Sequence, residues 1–181
     1  MNTYTIDNLN ELVTKFKHLD RCNETQNALY EEIYGTKKVS KNLLDHWWDE
    51  HAEQMDIHLY ANYIIDSLLD ELNKHNVCFV TLSNNYRCGV NFGHHFTLFK
   101  IDNLIYRIDS YMSIIYDNGK KDDPLYNTRL TKYVDFVEDM YELLTADIGE
   151  CRLAIWNKMF NAKEKYDSGI EKLDCIIHNR D

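Results

Sequence analysis

A histidine and an aspartate lie at the two open ends of one predicted hairpin. Residues 93–111 read Gly-His-His-Phe-Thr-Leu-Phe-Lys-Ile-Asp-Asn-Leu-Ile-Tyr-Arg-Ile-Asp-Ser-Tyr, which predicts the strands 95–101 and 105–111. His95 then enters the first strand and Asp109 leaves the second. A carboxylate that holds a histidine fixes its tautomer, and the other ring nitrogen can take the proton of a nucleophile. The hairpin therefore predicts the base and the orienting acid of a nucleophilic triad.

The length of the hairpin loop decides whether the two side chains can meet. Side chains alternate between the faces of a strand, so a loop of three or five residues puts His95 and Asp109 on one face. A two-residue turn of Asp102 and Asn103 would put them on opposite faces. His94 is interpreted as a neighbour of the base, because His95 is the one followed by Phe-x-Leu.

Cys151 is the nucleophile that we expect. It opens an apolar helix, Cys-Arg-Leu-Ala-Ile-Trp-Asn-Lys-Met-Phe, and a helix N-terminus beside a histidine lowers the pKa of a thiol. Cys22 is the alternative, because it precedes a second predicted helix, 23–34, but that helix is more polar. No two of the five cysteines form a CxxC pair, and their odd count favours free thiols in a reducing compartment.

The order of these elements resembles a family of cysteine proteases. Strand 77–82, His95-Phe-x-Leu, a second strand that ends in Asp109-Ser, and Glu-Cys151-Arg opening an apolar helix are similar to the papain-like superfamily, closest to the SUMO-protease and adenovirus-protease clan. The YopJ-type acetyltransferases of bacterial effectors share this layout. The resemblance covers residues 76–162 approximately and implies a Cys-His-Asp triad without a cofactor or metal. In papain-like enzymes the nucleophile comes first, and Cys22, His95, Asp109 would be that order.

Three positions depart from the family pattern. The clan has a glutamine a few residues before its cysteine, where this chain reads Leu-Thr-Ala-Asp-Ile-Gly-Glu. Arg152 stands in place of a glycine, and Phe96 stands in place of a tryptophan. The glutamine is a donor of the oxyanion hole, and losing one such donor typically costs about two to three powers of ten in rate.

The pattern along the chain predicts an α+β fold. Residues 1–75 are expected to be helical, with helices over 7–19, 23–34, from Ser40 to Trp48, and after a cap at Asp56. Residues 76–181 are expected to hold a small central antiparallel sheet and the C-terminal helices, including one through Leu130, Val134, Val137, Tyr141 and Leu144. The two segments are expected to form one compact domain, and the tail from Asn161 is interpreted as polar until Ile176 and Ile177.

Composition narrows the expected partners. The chain has 181 residues and a formal net charge of −10, which argues against nucleic acid because binding phosphates needs clustered Lys and Arg. The N-terminus lacks the pattern of a signal peptide, and no apolar run approaches the roughly 20 residues of a membrane helix, so a cytoplasmic location is expected, including a host cytoplasm for a viral protein or effector. No cysteine completes a zinc set with the scattered histidines, so no metal is expected.

The expected function is therefore hydrolysis of a peptide or isopeptide bond in a protein substrate. Cys151 would attack the carbonyl, His95 would transfer protons, and Asp109 would orient His95. A first alternative is an acyltransferase that acetylates a protein. A second is a catalytically inactive member of the fold that binds a protein partner through its acidic N-terminal helices.

Overall fold

The computed structural model describes residues 3–19, 21–38, 56–84, 92–110, 128–146, 150–160 and 173–178. Within these ranges the chain forms five helices and one five-stranded sheet, an α+β fold, as predicted. The helices are α1 (Ile6–Phe16), α2 (Cys22–Tyr34), α3 (Ile57–His75), α4 (Phe136–Thr145) and α5 (Glu150–Phe160). The strands are β1 (Val77–Asn84), β2 (Phe92–Ile101), β3 (Leu104–Asp109), β4 (Arg129–Tyr133) and β5 (Leu173–Ile177).

Local residue chemistry sets the ends of the N-terminal helices. Thr5 caps α1 in a capping box with Asn8, and Asp56 caps α3 through the N–H of His58. α2 ends where Gly35 adopts a positive φ of 66°, a conformation that glycine reaches without a Cβ penalty. The helices predicted over 7–19 and 23–34 are thus confirmed with small shifts of their ends, and the helix predicted after Ser40 falls outside the described residues.

The sheet has the order β4-β3-β2-β1-β5, and every neighbouring pair is antiparallel. β2 therefore lies between β1 and β3, at the centre of the sheet. β3 pairs with β2 only from Thr97 to Ile101, so the first residues of β2 extend beyond the end of β3. This extension carries His94 and His95.

Helices cover both faces of the sheet. Phe96, Leu98 and Val80 point to the face covered by α3, α4 and α5, while Phe79 and Phe99 point to the face covered by α1 and α2. Cys22 is the exception on α2. It packs with the core residues on the face covered by α3, α4 and α5, whereas Leu29 of the same helix packs with those on the opposite face. The start of α2 thus reaches around the end of the sheet to the face that carries His94.

Two elements differ from the sequence interpretation. Residues 129–133 form β4 rather than the start of a helix, and only Phe136–Thr145 is helical. The periodicity at 130, 134 and 137 misled because Val134 and Val137 are exposed, whereas pairing with β3 aligns Arg129 with Asp109. The tail contains β5, whose buried Leu173, Cys175 and Ile177 alternate along a strand that pairs with β1.

None of the helices within the described residues is both long and apolar enough to span a membrane.

Candidate active site

A two-residue turn closes the hairpin. Ile101 pairs with Leu104, so Asp102 and Asn103 form the turn, and Asp102 has the positive φ of 54° that short hairpins require. Because the register runs through the pair Thr97 and Ile108, Asp109 falls on the face of β2 opposite to His95. The expected pair of His95 and Asp109 is therefore not formed.

His94 takes the place that the sequence interpretation gave to His95. Its Nε2 lies 2.7 Å from Oδ2 of Asp109, and both side chains are almost completely buried, at 1% and 0% exposure. The imidazole ring packs edge-on against Phe160, with the ring centres 4.6 Å apart, and it stacks on the ring of Phe96. The hairpin thus supplies a histidine–carboxylate pair, but one residue earlier in the chain than predicted.

Two arginines keep Asp109 ionised. Nε of Arg107 lies 3.4 Å from Oδ2, and Nε of Arg129 lies 3.6 Å from Oδ1. Burial raises the pKa of the Asp109 carboxyl, but the charges of Arg107, His94 and Arg129 outweigh it and bring the pKa below its ordinary value. Arg107 is itself completely buried, and its guanidinium lies 5.2 Å from the ring centres of both Tyr133 and Phe160.

Cys22 supplies the thiol next to His94. It is the first residue of α2, is 9% exposed, and its sulfur interacts with the His94 ring and with the backbone amide of His95. Burial raises the pKa of the Cys22 thiol, but the hydrogen bond and charge of His94 and the His95 amide bring the pKa below the ordinary value for a thiol. Asp109 occupies Nε2 of His94, and Nδ1 is buried without a hydrogen bond of normal distance and angle, so Nδ1 is the nitrogen that remains available to this thiol.

The thiol and the imidazole shift each other's pKa in opposite directions. Burial lowers the pKa of His94, but the hydrogen bonds and charges of Asp109 and Cys22 raise it above the ordinary value. A thiol pKa that falls while the neighbouring histidine pKa rises moves the pair toward thiolate and imidazolium. The structure therefore brings Cys22, His94 and Asp109 together in the arrangement of a nucleophile, a base and an orienting acid.

Cys151 lies away from this cluster. It is exposed at the start of α5, whereas Trp156 and Phe160 of that helix are buried against His94. At about 100° per residue, Cys151 points roughly 180° around the helix axis from Phe160. The next residue, Arg152, is buried and donates to the carbonyl of Ala146. The structure thus places the preferred nucleophile on the outer face of α5 and the alternative, Cys22, beside the histidine.

His95 belongs to a second polar cluster on the opposite face of β2. Its Nδ1 lies 2.9 Å from the hydroxyl of Thr81, which lies 3.0 Å from Nε2 of His178. Burial lowers the pKa of His95 to about 3, helped by the charges of Lys38, His94 and His178. His95 is therefore neutral at pH 7, and its side chain does not share a face with the Cys22–His94–Asp109 cluster.

Acid should destabilise the protein through His95. Between about pH 3 and the ordinary histidine pKa of about 6.5, the unfolded chain binds a proton on residue 95 that the folded chain does not bind, so the free energy of unfolding falls as the pH falls. His95→Gln removes this titration, and we expect a shallower loss of stability from pH 6.5 to pH 4 in urea unfolding. Equal pH slopes for the two proteins would contradict the assignment of a neutral, buried His95.

Three hydroxyl groups tie the start of α2 to the end of β3. Thr25 Oγ1 lies 2.9 Å from Oγ of Ser110, the residue after Asp109, and 3.3 Å from Oγ1 of Thr128. Thr128 in turn donates to the carbonyl of Phe16, at the end of α1. Thr25, Ser110 and Thr128 are all buried, so these hydrogen bonds form without competition from bulk water. They fix the helix that carries Cys22 against the strand that carries Asp109.

Backbone donors lie next to the sulfur. The first intrahelical hydrogen bond of α2 runs from the N–H of Thr25 to the carbonyl of Arg21, so the N–H groups of Cys22, Asn23 and Glu24 precede the helical ladder. Arg21 makes no side-chain cap. Such N–H groups carry the positive end of the helix dipole and can stabilise an oxyanion formed at the attacked carbonyl.

Sequence reasoning missed His94, Arg107 and Arg129 as parts of the site. The Asp-Asn dipeptide, which favours tight turns, was the available signal for His94, because a two-residue turn moves Asp109 to the face of the preceding histidine. Among the described residues, no group of three or more His, Cys, Asp and Glu side chains is arranged to hold a metal ion.

Comparison with known proteins adds no relative: no protein-family model matches the sequence, and searches of curated proteins and of solved structures find no match either.

Proposed function

We propose that this chain is a cysteine-nucleophile hydrolase of papain-like type that cleaves a peptide or isopeptide bond of a protein substrate. Cys22 is the nucleophile, His94 the general base and acid, and Asp109 the residue that orients His94. The observation that carries the proposal is the buried position of His94 between the Asp109 carboxylate, 2.7 Å from its Nε2, and the Cys22 thiol, because groups that shift one another's pKa in this way are typical of catalytic sites.

The order of the residues supports the papain-like assignment over the clan that the sequence first suggested. The nucleophile at the start of a helix precedes the strand histidine, which precedes the carboxylate. In the SUMO-protease order the cysteine follows both, and Cys151 would have to turn inward to serve that role. The exposed side chain of Cys151 and the buried thiol of Cys22 favour the papain order.

The proposed reaction proceeds through an acyl-enzyme. The Cys22 thiolate attacks the substrate carbonyl, the N-terminal amides of α2 stabilise the oxyanion, and the C–N bond breaks as His94 gives its proton to the leaving amine. His94 then takes a proton from water, the hydroxide attacks the thioester, and the C–S bond breaks to release a carboxylate. Transfer of the acyl group to a protein acceptor would use the same intermediate, but the net charge of −10 does not favour binding of an anionic acyl donor such as acetyl-coenzyme A.

Selective alkylation tests the identity of the nucleophile. We expect iodoacetamide at pH 6 to modify Cys22 before the other cysteines, because a thiolate held by His94 persists below the pH at which ordinary thiols ionise. Digestion and mass spectrometry after short exposures would measure the modified fraction at each cysteine. Faster modification of the exposed Cys151 would contradict the assignment.

Cleavage of a peptide library tests the reaction itself. We expect the protein to generate new peptide termini in a proteome-derived library, and we expect Cys22→Ser to abolish them because serine at this position lacks the stabilised anion. Cys151→Ser is the matched control and should retain cleavage. Cleavage that survives in Cys22→Ser, or that disappears in Cys151→Ser, would refute the proposed nucleophile.

A further inference from the structure

Gln26 joins the helix of the nucleophile to the strand of the base. It lies four residues after Cys22 on α2 and is 1% exposed. Its Nε2 donates to the carbonyl of Val80 on β1 at 2.7 Å and to the carbonyl of Phe96 on β2 at 2.9 Å. Phe96 is two residues from His94 on the same strand and the same face. A single side chain therefore connects the first turns of α2 with the part of β2 that carries the histidine.

Lys38 fixes the orientation of this amide. Its ammonium donates to Oε1 of Gln26 at 2.7 Å, while the two carbonyls can accept only from the amide nitrogen. The charge of the lysine acts on the Gln26 amide that it contacts and, at longer range, on the Cys22 thiol and the His95 ring. A hydrogen bond to a cation is about twice as strong as a neutral one, and it polarises the N–H groups that hold the carbonyls.

We propose that Gln26 is a positioning residue that sets the distance between the Cys22 sulfur and the His94 ring, and that Lys38 holds Gln26 in the required orientation. The proposal rests on the function proposed above. Gln26 does not contact substrate, because it is buried and both N–H groups of its amide are already donated to backbone carbonyls. It therefore does not substitute for the side-chain oxyanion donor of the related proteases.

The geometry explains why one amide can have a large effect. Cys22 is held at the helix start by backbone contacts, and His94 lies on the part of β2 that extends beyond β3. Without Gln26, this part of β2 would keep its pairing to β1 and its contacts with the thiol, but would lose the hydrogen bond from α2 to the Phe96 carbonyl. A displacement of about 1 Å between reacting groups can cost about a hundredfold in rate.

The pH profile of Cys22 alkylation separates positioning from general stability. In Gln26→Glu the side chain keeps its shape and its contact with Lys38. An oxygen takes the place of the amide nitrogen, so the two hydrogen bonds to the Val80 and Phe96 carbonyls are lost and oxygen faces oxygen. We expect the alkylation midpoint to rise by about one pH unit, that is, about tenfold slower reaction on the acid side of the profile. Lys38→Met leaves the buried amide in place and should raise the midpoint by a smaller amount, part of it because the Lys38 charge also acts on the thiol itself.

A matched core variant provides the control. Leu72→Ala removes buried apolar contacts of α3, away from Gln26, and should destabilise the fold while leaving the alkylation midpoint unchanged. Midpoints in Gln26→Glu and Lys38→Met that equal the wild-type value would overturn the positioning role. Gln26→Met, which adds no charge near the thiol and has no N–H donors, separates positioning from direct electrostatics: a midpoint equal to the wild-type value in this variant would also overturn the role of Gln26.

The same experiment distinguishes failure of the underlying function. An ordinary thiol midpoint near 8.5 in the wild type, unchanged in His94→Gln, would mean that Cys22 and His94 do not form a pair, and both proposals would fall. A low wild-type midpoint that rises in His94→Gln but not in the Gln26 and Lys38 variants would leave the catalytic pair intact and refute only the role of Gln26.

Discussion

Asp109→Asn should lower the free energy of unfolding by about 3–5 kcal/mol, because it leaves a buried cluster of positive charge without its counterion. Arg107 is completely buried, Arg129 lies within 3.6 Å of the carboxylate, and His94 gains its proton partly through Asp109. Asparagine keeps the shape of the side chain and an oxygen that can face His94. The measured loss of unfolding free energy therefore results from removal of the negative charge. With an m-value of about 2 kcal/mol/M in urea, the unfolding midpoint should fall by roughly 2 M.

Asp102→Asn is the matched control in the same hairpin. Asp102 is exposed in the turn, and its positive φ of 54° is also tolerated by asparagine. Its replacement should change the unfolding midpoint very little. A loss below about 1 kcal/mol in Asp109→Asn would contradict the view that the carboxylate compensates buried cations.

A double variant tests whether the charges are coupled. Arg107→Met removes the most buried cation and keeps apolar contact with Tyr133 and Phe160, which the guanidinium now faces. The double variant should lose less free energy of unfolding than the sum of the losses in the two single variants, because Arg107→Met removes a charge that Asp109→Asn leaves unpaired. If the two losses of unfolding free energy are strictly additive, Arg107 is not coupled to Asp109, and Arg129 and His94 alone keep the carboxylate ionised.

The local parts of the site could be predicted from the sequence, but their assembly could not. The hairpin strands, the helix start at Cys22 and the dependence on loop length all follow from short-range patterns. The turn at Asp102 and Asn103 is also a local signal. Because side chains alternate between the faces of a strand, a change of one residue in the loop length decides whether His94 or His95 shares a face with Asp109.

The contact between Cys22 and His94 has no local signal at all. It depends on α2 reaching around the end of the sheet, which is held by Gln26 and by the Thr25–Ser110 hydrogen bond between residues 85 positions apart. The apolar character of α5 made Cys151 attractive, but that character serves to bury Trp156 and Phe160 against the histidine. The apolar helix α5 thus packs against His94, and the thiol beside that histidine is carried by the more polar helix α2.

The adjacent histidines offer a direct test of the site, because the same substitution can be made on both faces of one strand. His94→Gln removes the titrating ring beside Cys22 but keeps a side-chain N–H for Asp109. We expect alkylation of Cys22 at pH 6 to slow by roughly tenfold to a hundredfold as the thiol pKa returns toward about 8.5. Peptide cleavage should fall by about 10²–10⁴-fold with the loss of the general base.

His95→Gln should leave both measurements nearly unchanged. The contribution of residue 95 to the thiol is its backbone amide, which the substitution retains. Its side chain meets the Thr81 hydroxyl at 2.9 Å and Oε1 of Gln26 at only 3.4 Å, while the two N–H groups of Gln26 bind backbone carbonyls. The two variants share a strand, a residue type and a replacement, so a difference between them isolates the face on which the chemistry occurs. If His95→Gln is the variant that loses alkylation and cleavage, the proposed triad is wrong and the base lies on the other side of β2.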